Sequence, residues 1–157
     1  VFHDLILAVG VGVLIAILQS LNSIKKYIKS DYKHRFISIE ESNLNINFKN
    51  NNSINIFKLE GPIFFGSMKS LVKSYVKVEK KDILIIDINN ITRIDLSGAY
   101  ALEDLIKGAQ INGTQTYVLN TNTEVDRVLR NVNFIKHIGE KFYFKNNKIL
   151  EEAIKNK

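Results

Sequence analysis

The sequence predicts an α/β protein, a mixed β-sheet packed with α-helices and preceded by one transmembrane helix. Three observations indicate this fold class. An apolar run without a polar side chain extends from Leu5 to Leu18. After it, short stretches with the apolar spacing of strands alternate with stretches of helical spacing, which is typical of a sheet covered by helices. One of these stretches, Ile83–Ile88, is rich in β-branched residues, as in a strand that is buried on both faces.

The apolar run is the first element. It continues through Gln19 and Ser20 to Leu21, the lower limit of what crosses a hydrocarbon core about 30 Å thick. A signal peptide would begin with positive charge, whereas His3 and Asp4 stand there. A helix buried in a soluble core is the other alternative, but such a helix is usually apolar on one face and this run is apolar on all sides. The run therefore favours a membrane-spanning helix.

The residues after this helix predict its orientation. Five cations stand there against the single acid Asp31. The cations are Lys25, Lys26, Lys29, Lys33 and Arg35. Because Lys and Arg accumulate on the cytoplasmic side of a membrane span, we expect the rest of the chain to lie in the cytoplasm. We expect a truncated transmembrane helix in residues 1–24, a basic cytoplasmic linker in residues 25–35 and one soluble domain in residues 36–157. The start at Val1, without an initiator methionine, indicates a piece of a longer protein or a processed product.

The soluble part begins with a predicted antiparallel hairpin. Residues 36–40 and 54–59 alternate apolar and polar side chains, as half-buried strands do. An Asn-rich stretch with a turn at residues 50–52 separates them, and we expect the pair Gly61-Pro62 to break the second strand.

Helices and strands then alternate to the end of the chain. Helical spacing of apolar residues predicts four helices, and apolar or alternating runs predict three strands between them. In chain order these are a helix at Met68–Val76, a strand at Ile83–Ile88, a helix at Leu102–Ala109 ending near Gly113, a strand at Thr116–Leu119, a helix from Val125 that stops near Gly139, a strand at Lys141–Phe144 and a helix at Ile149–Ile154.

The segment between the strand Ile83–Ile88 and the next helix is the candidate functional loop, and it contains Asp95, Ser97 and Gly98. In an open α/β sheet, the loop after a central strand is a usual place for ligands and regulation. Asp95 and Ser97 can each cap the helix. A phosphate on Ser97 would lie near a helix N-terminus, where negative charge is favoured. Capping and regulation therefore stay as alternatives, whereas an Asp-x-Ser pair without a base predicts no catalytic nucleophile.

The same loop carries a family resemblance. Ile94–Leu102 resembles the central signature of STAS domains, and Ser97 has the position that is phosphorylated in bacterial anti-sigma-factor antagonists. Leu96 departs from that signature, which usually has a small or hydroxyl residue there. Gly61–Gly66 is similar to the Gly-Pro-Leu-Phe-Phe-type segment of transporter STAS domains. Asp4–Gly12 resembles the final helix of sulfate-permease (SulP) family proteins, which leads straight into a STAS domain.

This resemblance implies a STAS-like mixed sheet and a cytoplasmic regulatory and assembly domain of a secondary-active inorganic anion transporter of the sulfate type. The implied partners are the membrane, the remainder of the transporter, a second copy through the full-length protein and a cytoplasmic protein. The implied location is the inner (cytoplasmic) membrane with the STAS domain facing the cytoplasm, and the anion site is expected outside this chain. The alternative is a phosphorylation-switched interaction module that resembles the anti-sigma-factor antagonists.

Other classes of function are not predicted. The chain has no cysteine, which excludes disulfides and thiolate metal sites. His3, His34 and His137 are scattered, and no paired carboxylates or metal-ligand spacing accompany them, so we expect no enzyme, no metal and no cofactor. The net charge is +6, but lysines are spread along the chain without an RNA- or DNA-binding motif. We therefore expect no nucleic-acid partner, and the basic charge fits a position beside an anionic membrane surface.

Overall fold

The computed structural model of the protein describes residues 2–28, 32–46 and 53–155, and the chain forms two compact units, Val1–Asp31 and Tyr32–Lys157. The first unit is helix α1, Phe2–Ile28. Its stretch His3–Leu21 has a mean hydropathy of 2.2, and it is the one helix in the described ranges long and apolar enough to cross a membrane. The helix continues past residue 24 into the basic segment, and the division at residues 24 and 35 stays a prediction.

The second unit is built on a five-stranded sheet in the order β1-β2-β3-β4-β5. The strands are β1 Lys33–Ile37, β2 Ile54–Ile63, β3 Ile83–Ile94, β4 Gln115–Leu119 and β5 Tyr143–Phe144. β1 pairs with β2 in the antiparallel sense, and all other neighbours are parallel. The mixed sheet predicted from the sequence is therefore confirmed.

Helices cover both faces of this sheet. They are α2 Phe65–Val76, α3 Leu96–Ile111, α4 Thr123–Asn131, α5 Phe134–Ile138 and α6 Asn147–Lys155, with a short 3₁₀ turn at Glu140–Phe142. In β3, Leu84 and Ile86 point into the core shared with α2 to α5, whereas Ile83 and Ile85 point into the core beneath α6. A strand that alternates between two apolar cores has apolar residues at every position, which explains the run recognised in the sequence.

Two predictions about the first strands are wrong. The first strand is Lys33–Ile37 rather than residues 36–40, and β2 does not stop at Gly61-Pro62 but continues to Ile63. The pairing of β2 with β3 shifts by one residue between Gly61 and Pro62, and Gly61 has a φ of 82°. At a bulge the ladder of backbone hydrogen bonds is interrupted. A proline, which has no N–H to donate, is therefore tolerated inside the strand at that position. The predicted turn at residues 50–52 lies outside the described residues.

Two later elements also differ from expectation. The helix predicted to run from Val125 towards Gly139 is divided into α4 and α5, because Asn133 between them has a left-handed φ of 58°. The predicted strand Lys141–Phe144 is a 3₁₀ turn followed by the two residues of β5.

Candidate functional site

The predicted functional loop is a tight strand-to-helix junction. β3 extends to Ile94 and α3 begins at Leu96, so Asp95 alone lies between them. The side chain of Asp95 is the N-cap of α3, because its Oδ1 accepts a hydrogen bond from the Gly98 N–H at 2.6 Å. Of the two candidate caps, Asp95 therefore caps the helix, and Ser97 lies within its first turn.

Gly98 is needed for close packing rather than for an unusual backbone conformation. A Cβ atom at Gly98 would lie 2.8 Å from the carbonyl oxygen of Ile63 and 3.1 Å from the Ile63 Cγ2. The glycines with positive φ are Gly61, Gly113 and Gly139, so the φ of Gly98 is one that other residues adopt without strain. The missing side chain instead lets the start of α3 lie against the end of β2.

The two sequence motifs meet at this contact. The Asp95 N–H donates to the Ile63 carbonyl at 3.3 Å, which joins the start of α3 to the segment Gly61–Gly66. In that segment the Phe64 N–H donates to Ser67 Oγ at 2.9 Å, and the same hydroxyl donates to the Phe64 carbonyl at 2.7 Å. These bonds fix the start of α2. Both helices therefore begin side by side, at the ends of the adjacent parallel strands β2 and β3.

An exposed surface, called here the α3 surface, lies outside this junction and consists of Arg93, Leu96, Ser97 and Tyr100. Leu96 is 52% exposed and Tyr100 is 48% exposed, so two large side chains with apolar area face the solvent one turn apart on α3. Ser97 is exposed beside them in the same helical turn, and its hydroxyl makes no hydrogen bond within the described part of the chain. Leu96, the residue that departs from the family signature, thus adds apolar contact area beside the serine.

Asn122 and Asn89 support the junction from the side of β4. The Asn122 side chain donates to the Ile91 carbonyl at 2.9 Å and accepts from the Glu124 N–H at 3.0 Å, which caps α4. Asn89 Oδ1 accepts from the Thr121 N–H at 2.6 Å. A cavity of about 130 Å³ lies beside them, lined by Thr92, Arg93, Ile94, Glu124, Val125 and Val128. The sequence signal that could have indicated this arrangement is the N-cap pattern Asn-x-Glu at residues 122–124.

A buried carboxylate, Asp126, holds α4 to the last strand. It accepts hydrogen bonds from Lys145 Nζ at 2.6 Å, Arg130 Nε at 3.1 Å and the Tyr143 hydroxyl at 3.0 Å. Burial acts to raise the pKa of Asp126, but these three donors outweigh burial and hold the pKa below its ordinary value. Sequence reasoning missed this cluster, although Asp126 and Arg130 have the spacing of a helical ion pair.

The histidines and carboxylates are the residues for which the sequence predicts no metal site. Among the residues that the structure describes, no three such side chains lie close enough together to hold a metal ion. His137 pairs instead with the buried Glu103 at 3.0 Å, and Lys107 also binds that carboxylate at 2.5 Å. These contacts join α3 to α5 and have a structural role.

The structure is a small α/β domain with a mixed five-stranded sheet and a capped α3 packed against the end of β2. The model of the STAS domain matches residues 45–149, which contain β2 to β5 and the whole junction. The chain belongs to the STAS domain family, and the resemblance inferred from its motifs is confirmed.

Relatives of the chain are named as transporters. It is 25% identical over 163 residues to the bicarbonate transporter BicA of Picosynechococcus sp., with 99% of this chain and 28% of that protein covered. The SulP transporter STAS domain of Vibrio cholerae is 24% identical with a TM-score of 0.56, and 66% of this chain and 83% of that one are covered. A sulfate transporter family protein of Wolinella succinogenes is 21% identical with a TM-score of 0.60, covering 74% and 93%. The chain spans about a quarter of the length of the curated relatives it matches.

Proposed function

We propose that this chain is the last transmembrane helix and the cytoplasmic regulatory and assembly domain of a secondary-active inorganic anion transporter. The observation that carries the proposal is the extent of the similarity to a bicarbonate transporter, which covers 99% of the chain. The similarity therefore includes α1, whose stretch His3–Leu21 has the length and hydropathy of a membrane span, as well as the STAS domain.

The transported anion would be bound by parts of the protein outside this chain. The relatives that support the proposal are named for bicarbonate and for sulfate, so both anions are candidates. The chain's own contribution would be contact with a partner, either the remainder of the transporter, a second copy of the full-length protein or a cytoplasmic protein. The α3 surface fits this role because Leu96 and Tyr100 are exposed on the rigid start of a capped helix.

The anchor and the regulatory role need separate experiments. For the anchor, the full chain is expressed and its membranes are washed with alkaline carbonate. We expect the protein to stay in the membrane pellet, and release into the supernatant would overturn the assignment of α1.

For regulation, uptake of labelled sulfate and of labelled bicarbonate is measured in cells that express the whole transporter, with Leu96→Ser or with Ile149→Ser as control. The two side chains are similarly exposed, at 52% and 57%, but Ile149 lies on α6. Transport or dimer formation should change only with Leu96→Ser. Equal behaviour of the two variants would contradict a role for the α3 surface.

A second candidate function is a phosphorylation-switched interaction module, and the exposure of Ser97 favours it. A phosphate on Ser97 would be attracted by the N-terminus of α3 and repelled by the Asp95 carboxylate two residues earlier. It would also add charge beside the apolar side chains of Leu96 and Tyr100, which would weaken an apolar contact. Incubation with cell extract and labelled ATP tests this function. Labelling should be lost in Ser97→Ala and kept in Ser70→Ala, which removes an exposed serine of α2.

A further inference from the structure

The outer face of α2 combines exposed cations with exposed apolar side chains. This face, called here the α2 outer face, consists of Val72, Lys73, Val76 and Lys77. Val72 is 41% exposed and Val76 is 71% exposed, and both lysines are exposed. Residues three and four apart lie on the same side of a helix, so these side chains form one continuous strip opposite the buried Leu71.

The charge of this strip is not balanced by acids of its own helix. α2 contains no aspartate or glutamate, and neither Lys73 nor Lys77 forms an ion pair within the described residues. The next exposed charges along the chain are Glu79 and Lys80, which cancel each other. The strip is therefore a local excess of positive charge with apolar area inside it.

The first residues of the STAS unit lie beside α2. Tyr32 is the first residue of this unit, and its ring stacks on His34 with 5.2 Å between the ring centroids. His34 Nε2 lies 2.6 Å from the hydroxyl of Ser74 on α2. In the sequence, residues 29–32 separate the end of α1 from the start of β1. In the proposed function α1 spans a bilayer, so this short segment tethers the STAS unit to the membrane.

We propose that the α2 outer face binds the anionic headgroups of phospholipids. This inference rests on the proposed membrane anchor. Lysines are attracted to an anionic leaflet, and each one near the surface strengthens binding by about fivefold. Valines between them enter the boundary between headgroups and acyl chains, as in interfacial amphipathic helices. Another protein is the competing occupant of this face. A partner with an uncharged apolar surface would gain no binding energy from the unpaired lysines.

The STAS unit is suited to a test without α1, because both of its apolar cores consist entirely of residues after Tyr32. Residues 32–157 are mixed with vesicles of phosphatidylcholine or of phosphatidylcholine with phosphatidylglycerol, and the bound fraction is measured by sedimentation. We expect binding to the anionic vesicles and weakening as salt rises, since exposed charges are screened.

The double variant Lys73→Gln, Lys77→Gln should weaken this binding by about 25-fold, from two lysines at about fivefold each. The matched control is Lys148→Gln, Lys155→Gln, which removes two exposed lysines from α6 on the other side of the sheet. The control should bind almost as the unchanged unit does. Equal loss in both variants would show that net charge alone drives binding and would overturn the proposal.

Failure of this inference is distinguishable from failure of the proposed function. Equal binding to neutral and anionic vesicles, or no binding to either, overturns the role of the α2 outer face while the carbonate wash still reports on α1. Retention of the full chain in membranes together with loss of vesicle binding by the STAS unit would leave the anchor intact and remove only the inference.

Discussion

Replacement of Gly98 by alanine should destabilise the STAS unit, although alanine is the better helix former. The new Cβ would lie 2.8 Å from the Ile63 carbonyl oxygen, which also accepts the hydrogen bond from the Asp95 N–H. The new Cβ would collide with the backbone carbonyl of Ile63 and with the side chain attached to the same backbone. Either the end of β2 or the start of α3 therefore has to move. Overpacking of this kind costs about 1–3 kcal/mol, and the change from glycine to alanine in a helix returns about 1 kcal/mol. We therefore expect a net loss of up to about 2 kcal/mol.

The matched control is Gly108→Ala in the same helix. A Cβ at Gly108 meets no atom within 4 Å, so only the helix propensity changes and the unit should gain up to about 1 kcal/mol. The free energy of unfolding of residues 32–157 is measured by urea denaturation followed by far-ultraviolet circular dichroism. If Gly98→Ala proves at least as stable as Gly108→Ala, the close packing of α3 on β2 is refuted.

Three further predictions concern charge and pH. Ser97→Asp should change the free energy of unfolding by less than about 0.5 kcal/mol, because Ser97 is exposed, and a large loss in urea denaturation would contradict this. Burial raises the pKa of Asp87 against the opposing hydrogen bond from the Asn89 N–H, so its contribution to stability is lost as pH rises from about 4 through the raised pKa. Asp87→Asn should therefore stabilise the unit at pH 7. If the variant and the unchanged unit differ in urea midpoint by the same amount at pH 4 and at pH 7, this cause is contradicted. Burial lowers the pKa of His34, so its contribution is present above about pH 6.5 and is lost as pH falls through the lowered pKa. His34→Gln should reduce the loss of stability between pH 7 and pH 5, whereas an unaltered pH profile would refute this cause.

Most elements of the fold could be predicted because each has its own local pattern. Ile83–Ile86 is apolar at every position because β3 separates two cores, and Met68–Val76 has helical spacing because one side of α2 is buried. The errors arose where contacts between distant segments decide the conformation. Gly61-Pro62 ends a strand on local rules, but pairing with β3 continues it through a bulge.

The candidate site was only partly predictable for the same reason. The sequence pattern indicated both Asp95 and Ser97 as candidate caps, and the structure has Asp95 as the cap and Ser97 exposed. It could not indicate that Gly98 lies against Ile63, since more than thirty positions separate them along the chain. The hydrogen bond from the Asn122 side chain to the Ile91 carbonyl was missed on the same ground, because its two partners belong to different elements.

The sequence by itself determined the order and type of the elements, the membrane-length apolar helix and the motif residues of the family. These properties follow from which side chains each segment has to bury, and that information is written in local periodicity. Only the tertiary structure decided the strand order, the meeting of Gly61–Gly66 with the start of α3, and the exposure of Leu96 and Ser97. Periodicity states that a face is buried but not what covers it, and that depends on how the whole sheet and its helices pack.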